Sequence, residues 1–242
     1  AQGRPRAAAS WLRQLREMVP PDAEPWLELA CDYLDAGLRE EAAELLGWAV
    51  ERVPAAKRDP QCHYLLACLY DKLGKAEEAD KHREAARACS PELVFPHHWE
   101  MEAALREAAA RNPDDGAARH YLGLLLFHQG RREEALREWE RAAECAPHLP
   151  TLQRNLALAY HQVKRDAQAA AAALRREVAR QPAYPRPYLE LDEALQALKA
   201  DPRERLALLD SAPPEVQRRA IIAAQQVAAC IAAEQWQRAI EL

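Results

Sequence analysis

The sequence predicts an all-α fold, a right-handed solenoid of stacked antiparallel helix pairs. Three observations predict it. First, 49% of the 242 residues are apolar but only 6% are aromatic, and glycine occurs seven times. The dominance of Leu, Ala, Glu and Arg is that of a chain built almost wholly from helix formers. Second, three long stretches align with one another in a single frame. Third, glycine, an acidic pair and proline recur at matching offsets in those stretches, which marks a turn, a helix start and a helix end.

The aligned stretches are "WLELACDYLDAGLREEAAELLGWAVERVP" from Trp26, "HYLLACLYDKLGKAEEADKHREAARACSP" from His63 and "RHYLGLLLFHQGRREEALREWERAAECAP" from Arg119. Each places Leu early (Leu29, Leu66, Leu122) and a small residue directly after it (Ala30, Ala67, Gly123). A glycine follows (Gly37, Gly74, Gly130), then Ala42, Ala79 and Ala135, then Ala49, Ala86 and Ala142. Each ends on proline, at Pro54, Pro91 and Pro147. Two antiparallel helices can approach closely only where small residues line their contact. Glycine closes the first helix in the left-handed conformation. The pairs Glu40-Glu41, Glu77-Glu78 and Glu133-Glu134 open the second helix, where the macrodipole favours acids, so they read as helix starts and not as acid/base pairs. Proline stops that helix.

This frame resembles the tetratricopeptide repeat, with its W-x2-L-G-x2-Y…A-x3-F…P pattern and its period of about 34 residues. The resemblance implies stacked helix pairs and a binding role. Full repeats are assigned to 23–54, 60–91, 116–147 and 150–182. The last of these holds Leu156, Ala157, Tyr160 and Pro182, but has Lys164 at the glycine position and one extra residue in the turn. Residues 1–20 read as a partial repeat (Ala8, Leu12, Leu15, Pro20), and 92–113 as a half repeat on Met101, Leu105, Ala108 and Pro113. There "PELVFPHHWE" replaces a first helix with an extended crossing. A degenerate repeat occupies 184–213 and a truncated one 214–242. Both ends cut through a repeat, as in a segment of a longer protein, and "IIAAQQVAACIAA" is apolar on many sides. Self-association through the truncated ends is therefore expected, with Ile221, Ile222, Val227 and Ile231 exposed. From about residue 90 onward the chain is also similar to the C-terminal repeat region of large bacterial proteins that carry an N-terminal β-rich domain of unknown function.

The chemistry-bearing residues favour packing over catalysis. The net charge of −5 excludes a phosphate-binding face, so no nucleic acid is expected as partner. No apolar run reaches membrane-spanning length, so no membrane is expected either. Cys31, Cys62, Cys68, Cys89, Cys145 and Cys230 contain no C-x2-C pair and recur at scaffold positions, as reduced cysteines of a cytoplasmic protein do. His120 and His128 lie about 12 Å apart along one helix, too far to share an ion. His97 and His98, if helical, point about 100° apart. The expectation is no catalytic residue, no cofactor and no metal.

The concave wall of such a solenoid is built from first helices. Its side chains are Leu27, Cys31, Leu34 and Asp35 in the first full repeat, and Tyr64, Cys68, Asp71 and Lys72 in the second. They are His120, Leu124, Phe127 and His128 in the third, and Arg154, Leu158, His161 and Gln162 in the fourth. The partner-binding groove is expected at Tyr64, Lys72, His120, Phe127, His128, Arg154, His161 and Gln162. Related repeats grip a C-terminal carboxylate with Lys and Asn on this face, and here only Asn155 matches. The function implied is a non-catalytic scaffold that binds a protein, a peptide or another domain of its own chain. The alternative is an accessory arm of a carbohydrate-active enzyme whose catalytic part lies elsewhere.

Overall fold

The computed structural model describes residues 20–242. The partial repeat expected at Ala8, Leu12 and Leu15 lies outside them, except for Pro20. All regular structure among the described residues is helical. The chain divides into two compact units, Ala1–His128 and Gln129–Leu242.

In the N-terminal unit, α1 (Glu24–Asp35) pairs with α2 (Arg39–Arg52), and α4 (Pro60–Lys72) pairs with α5 (Ala76–Ala88). Between them runs the short α3 (Pro54–Arg58). Pro54 thus follows the end of one helix and opens another, since its fixed φ suits a first turn. Gly37 and Gly74 take φ of 76° and 74°, the left-handed region that ends the first helix of each pair. Glu40, Glu41, Glu77 and Glu78 occupy the first turns of α2 and α5. Residues 90–98 hold no helix, and α6 (Glu100–Arg111) then packs on α4 and on α7 (Gly116–His128). Alanines at the contacts (Ala30, Ala42, Ala49, Ala67, Ala79, Ala86) are buried, so backbones approach closely. Trp26, Leu46, Leu66, Met101 and Tyr121 fill the remaining space.

Polar groups lock this unit. Asp115, 1% exposed, caps α7 by accepting from the Ala118 amide at 3.0 Å. It also accepts from the Tyr64 hydroxyl at 2.9 Å. Burial, and then the adjacent Asp115, push the Tyr64 phenol far above its ordinary range. Buried Arg83 pairs with Asp71 and, at 2.6 Å, with Asp80. The rings of His63 and His82 meet Nδ1 to Nδ1 at 3.0 Å, and Nε2 of His63 donates to the Lys57 carbonyl at 2.9 Å.

In the C-terminal unit, α8 (Arg132–Cys145) packs on α9 (Leu152–Ala159), α9 on α10 (Ala167–Arg180), and α10 on α11 (Pro185–Ala197). Helix α12 (Pro202–Asp210) packs on α11 and on α14 (Ala220–Ala232), flanked by short α13 (Pro214–Gln217) and α15 (Trp236–Glu241). The extra residue of the fourth repeat is absorbed in a π-helical turn, Tyr160–Lys164, that prolongs α9. Arg165 (φ 55°) then serves as the left-handed residue. Lys199 (φ 53°) and Glu234 (φ 59°) do the same after α11 and α14.

Beyond Pro182, where the repeat pattern decays, Asp192, 0% exposed, and Arg205 form a bidentate buried ion pair at 2.8 and 3.0 Å, completed by Gln196 donating to Asp192 at 2.7 Å. Tyr188, Leu206, Leu209, Val216, Ile222 and Cys230 form the core beyond them. The exposure expected of α14 is corrected in part. Ile221 and Ile231 are 57% and 47% exposed, but Ile222 is fully buried in that core and Val227 is half-buried. Helical rotation places Ile222, Ala229 and Cys230 on one face, against α12. Polar contacts add to it: Gln226 and Arg238 both donate to Asp210, at 3.0 and 2.7 Å.

Candidate functional site

The concave cleft with the best definition lies wholly within the C-terminal unit. It is bounded by α9, α10 and α11 and encloses about 330 Å³, within the usual size range of ligand pockets, about 300–1,000 Å³. Its floor is apolar: Ala157 and Leu158 from α9, Ala170 and Leu174 from α10, Ala194 and Ala197 from α11. The small alanines make the hollow, because they let the helices pack while leaving no side chain to fill it. Leu158 is 41% exposed, an apolar group left open to solvent.

The rim is charged and internally paired. Arg154 forks onto Glu190, with Nε and one terminal nitrogen at 2.8 and 2.5 Å from its oxygens. Arg186 Nε donates to the same carboxylate at 2.8 Å. Burial opposes ionisation of Glu190, but the two guanidiniums outweigh it and hold its carboxyl below the usual range. The hydrogen bonds to Glu190 raise Arg154 correspondingly. Glu193 and His161 complete the rim. No His, Cys and carboxylate donors converge in this cleft; the groups among the described residues close enough to share a cation lie in the N-terminal unit.

The groove residues expected from the sequence separate into three sets. Arg154 and His161 line this cleft, and Gln162 is exposed beside it. Lys72 and His128 are exposed and Phe127 is half-buried, all in the N-terminal unit. Tyr64 and His120 are corrected: at 1% and 2% exposure they are core residues. Tyr64 spends its hydroxyl on Asp115, and His120 is pushed down to about 4 by burial alone, which keeps its ring neutral. The frame places them on a first helix's inner side, but both side chains are buried there. Arg154 is corrected in role, since its fork is occupied by Glu190. Glu190, Glu193 and Leu174 were missed; they lie on elements outside the inner-wall frame. The i,i+4 spacing of Arg186 and Glu190 was the one signal available.

The comparisons with known proteins agree with the repeat frame. A family model described as tetratricopeptide repeat matches residues 27–92 and 102–150. The match falls on the stretches that carry the repeat frame. The chain is 25% identical over 162 residues to the TPR repeat-containing protein YvcD of Bacillus subtilis (strain 168), covering 64% of this chain and 33% of that protein. It therefore spans about a third of the length of that relative. Among solved structures, one from a functional characterisation of Pseudomonas aeruginosa pilF is similar at 18% identity and TM-score 0.48, covering 90% of this chain and 87% of that one. A tetratricopeptide repeat protein from Parabacteroides merdae is similar at 16% identity and TM-score 0.43, covering 90% and 76%. Among the described residues, no helix is long and apolar enough to cross a membrane.

Proposed function

We propose that this chain is a non-catalytic protein-interaction scaffold whose C-terminal unit receives a peptide segment of a partner protein in the cleft between α9, α10 and α11. The observation that carries the reading is the cleft itself, an apolar floor with Leu158 exposed under a rim of paired charges. An apolar side chain of the partner fills the hollow between Leu158 and Leu174, and its polar groups meet the rim. Because Glu190 already neutralises Arg154, the rim favours a segment that joins the Arg154–Glu190–Arg186 array over a lone carboxylate that must displace Glu190. His161 and Gln162 extend the polar contact along α9. The carbohydrate-related alternative gains no support from the comparisons.

The test is co-purification from the source cells with Leu158→Arg, Arg154→Ala and Glu133→Ala, each checked for helicity. Leu158→Arg fills the hollow with charge and is expected to remove the partner. Arg154→Ala weakens its capture, and Glu133→Ala, at the exposed start of α8, changes nothing. If Leu158→Arg keeps every partner while a substitution remote from the cleft loses one, the assignment is wrong.

A further inference from the structure

A second constellation lies in the N-terminal unit, where α1, the non-helical crossing and the start of α6 meet. Cys31, His98 and Glu100 each offer one donor atom there, and these atoms lie within 4.8 Å of one another. A tetrahedral zinc ion bonds sulfur at about 2.3 Å and nitrogen or oxygen at about 2.0–2.2 Å, so ligand atoms around it sit roughly 3.3–3.8 Å apart. The three donors need close by only about an ångström to reach that spacing.

One atom in this group has no partner. Glu100 is 9% exposed, and its Oε2 is buried without a hydrogen bond. Leaving a buried polar atom unpaired costs on the order of 1–3 kcal/mol, more for a charged group. Cys31 beside it is 4% exposed and is not in a disulfide. A neighbouring set, Glu24, His97 and His98, differs in this respect. Glu24 Oε1 lies 2.8 Å from His98 Nε2 and 3.1 Å from His97 Nε2, which are hydrogen-bond and ion-pair lengths that satisfy the groups without any ion. Glu24 therefore fixes the position of the His98 ring through Nε2.

We propose that Cys31, His98 and Glu100 form a binding site for a divalent transition-metal ion of the zinc class. Thiolate, imidazole and carboxylate together suit a borderline-soft ion and not magnesium or calcium. Three protein ligands leave a fourth position for water. The side chain of His98 is 15% exposed, so the site has access to solvent. The sequence reading expected no metal because it weighed His97 and His98 only as a helical pair; the segment is not helical, and their ring centroids lie 4.2 Å apart. Cys31 is far in sequence from His98 and Glu100, a spacing no short motif describes.

Binding must displace the thiol proton of Cys31. Burial first, and then Glu100, Asp35 and Glu24, push that thiol well above its ordinary range. The groups facing it are Glu24 and Asp35 from α1, His98 from the crossing, Glu100 from α6 and Cys62 from α4.

The experiment is titration of the chelator-treated protein with Zn²⁺ alone and with Co²⁺ alone, by calorimetry and absorption. One saturable equivalent of Zn²⁺ is expected, together with a thiolate-to-cobalt charge-transfer band. His98→Ala should weaken Zn²⁺ at least about 100-fold, and Glu100→Gln about tenfold or more. Cys31→Ser should abolish the band, while Cys145→Ser leaves it intact. Circular dichroism checks each fold, and if His98→Ala does not fold, the band in Cys31→Ser decides. No saturable Zn²⁺ binding overturns the proposal. So does binding left unchanged by Cys31→Ser and Glu100→Gln, because any ion would then rest on Glu24, His97 and His98.

Discussion

The N-terminal unit ends the first helix of its two pairs with Gly37 and Gly74, whereas the C-terminal unit has one left-handed glycine, Gly130, and ends later helices with Arg165, Lys199 and Glu234 in the same backbone region. Among the described residues, Leu93 is the N-terminal unit's left-handed non-glycine residue. Both interiors bury an ion pair, Arg83 with Asp71 in the N-terminal unit and Asp192 with Arg205 in the C-terminal unit. They differ in their histidines: the N-terminal unit buries His63 at 5% and His120 at 2% exposure among apolar side chains. One unit follows the repeat pattern closely and the other departs from it, yet both build stacked helices. The lesson is that the pattern is one solution to close helix packing. A second solution holds non-glycine residues in left-handed turns.

The sharpest way to break the comparison is at the ion pair. Arg205→Met leaves Asp192 buried and unpaired, which should cost about 3–5 kcal/mol. The double variant Asp192→Leu with Arg205→Met should recover most of that loss, since a packed apolar pair replaces two desolvated charges. Urea unfolding of the two variants checks both. A small loss in Arg205→Met would mean that the C-terminal unit does not depend on the pair.

Acid should act mainly on the other unit. Burial lowers His120 from 6.5 to about 4, and it lowers His63 and, to about 4, His82. The unfolded chain takes up the His120 and His82 protons near 6.5 and the folded chain only near 4. The associated stability is therefore complete above about 6.5 and is lost as pH falls towards 4. For fully buried His120 the slope reaches about 1.4 kcal/mol per pH unit. The C-terminal unit has no buried histidine, since His148 and His161 are exposed. Hydrogen exchange at pH 7 and pH 5 should show amides of α4, α5 and α7 losing protection before those of α10 and α11. His120→Phe should reduce the difference.

The turns give a smaller and opposite pair of effects. Gly74→Ala should destabilise by about 1 kcal/mol, because an L side chain resists the left-handed region. The space around it is open, with nothing within 4 Å of an added Cβ, so the backbone alone is responsible. Lys199→Gly should stabilise by up to about 1 kcal/mol, the relieved strain being partly offset by glycine's greater freedom when unfolded. Thermal melts of both check the sign. Smallest of all, Cys145→Val should change stability by less than about 0.5 kcal/mol, because Cys145 is only half-buried.

Much of this architecture was legible because a repeat states its physics several times over. Leu29, Leu66 and Leu122 with Ala30, Ala67 and Gly123 are local signals, each set by the pitch of one helix and its distance to the next. The turn glycines and the acidic pairs are equally local, and even the extra residue near Lys164 was visible, though not the π-helical turn that absorbs it. What stayed hidden depends on partners distant in sequence. Whether Tyr64 and His120 face a groove or the core is decided by which elements cover α4 and α7. Whether Arg154 is available to a ligand is decided by Glu190, which lies on a helix outside the frame. The meeting of Cys31, His98 and Glu100 depends on a crossing that no periodicity describes. The sequence alone determined helix periodicity, turn chemistry and the repeated contact of small residues, because those are short-range properties of the backbone. Only the tertiary structure decided burial, charge pairing and the convergence of donors, because those depend on distances between segments that the chain brings together by folding.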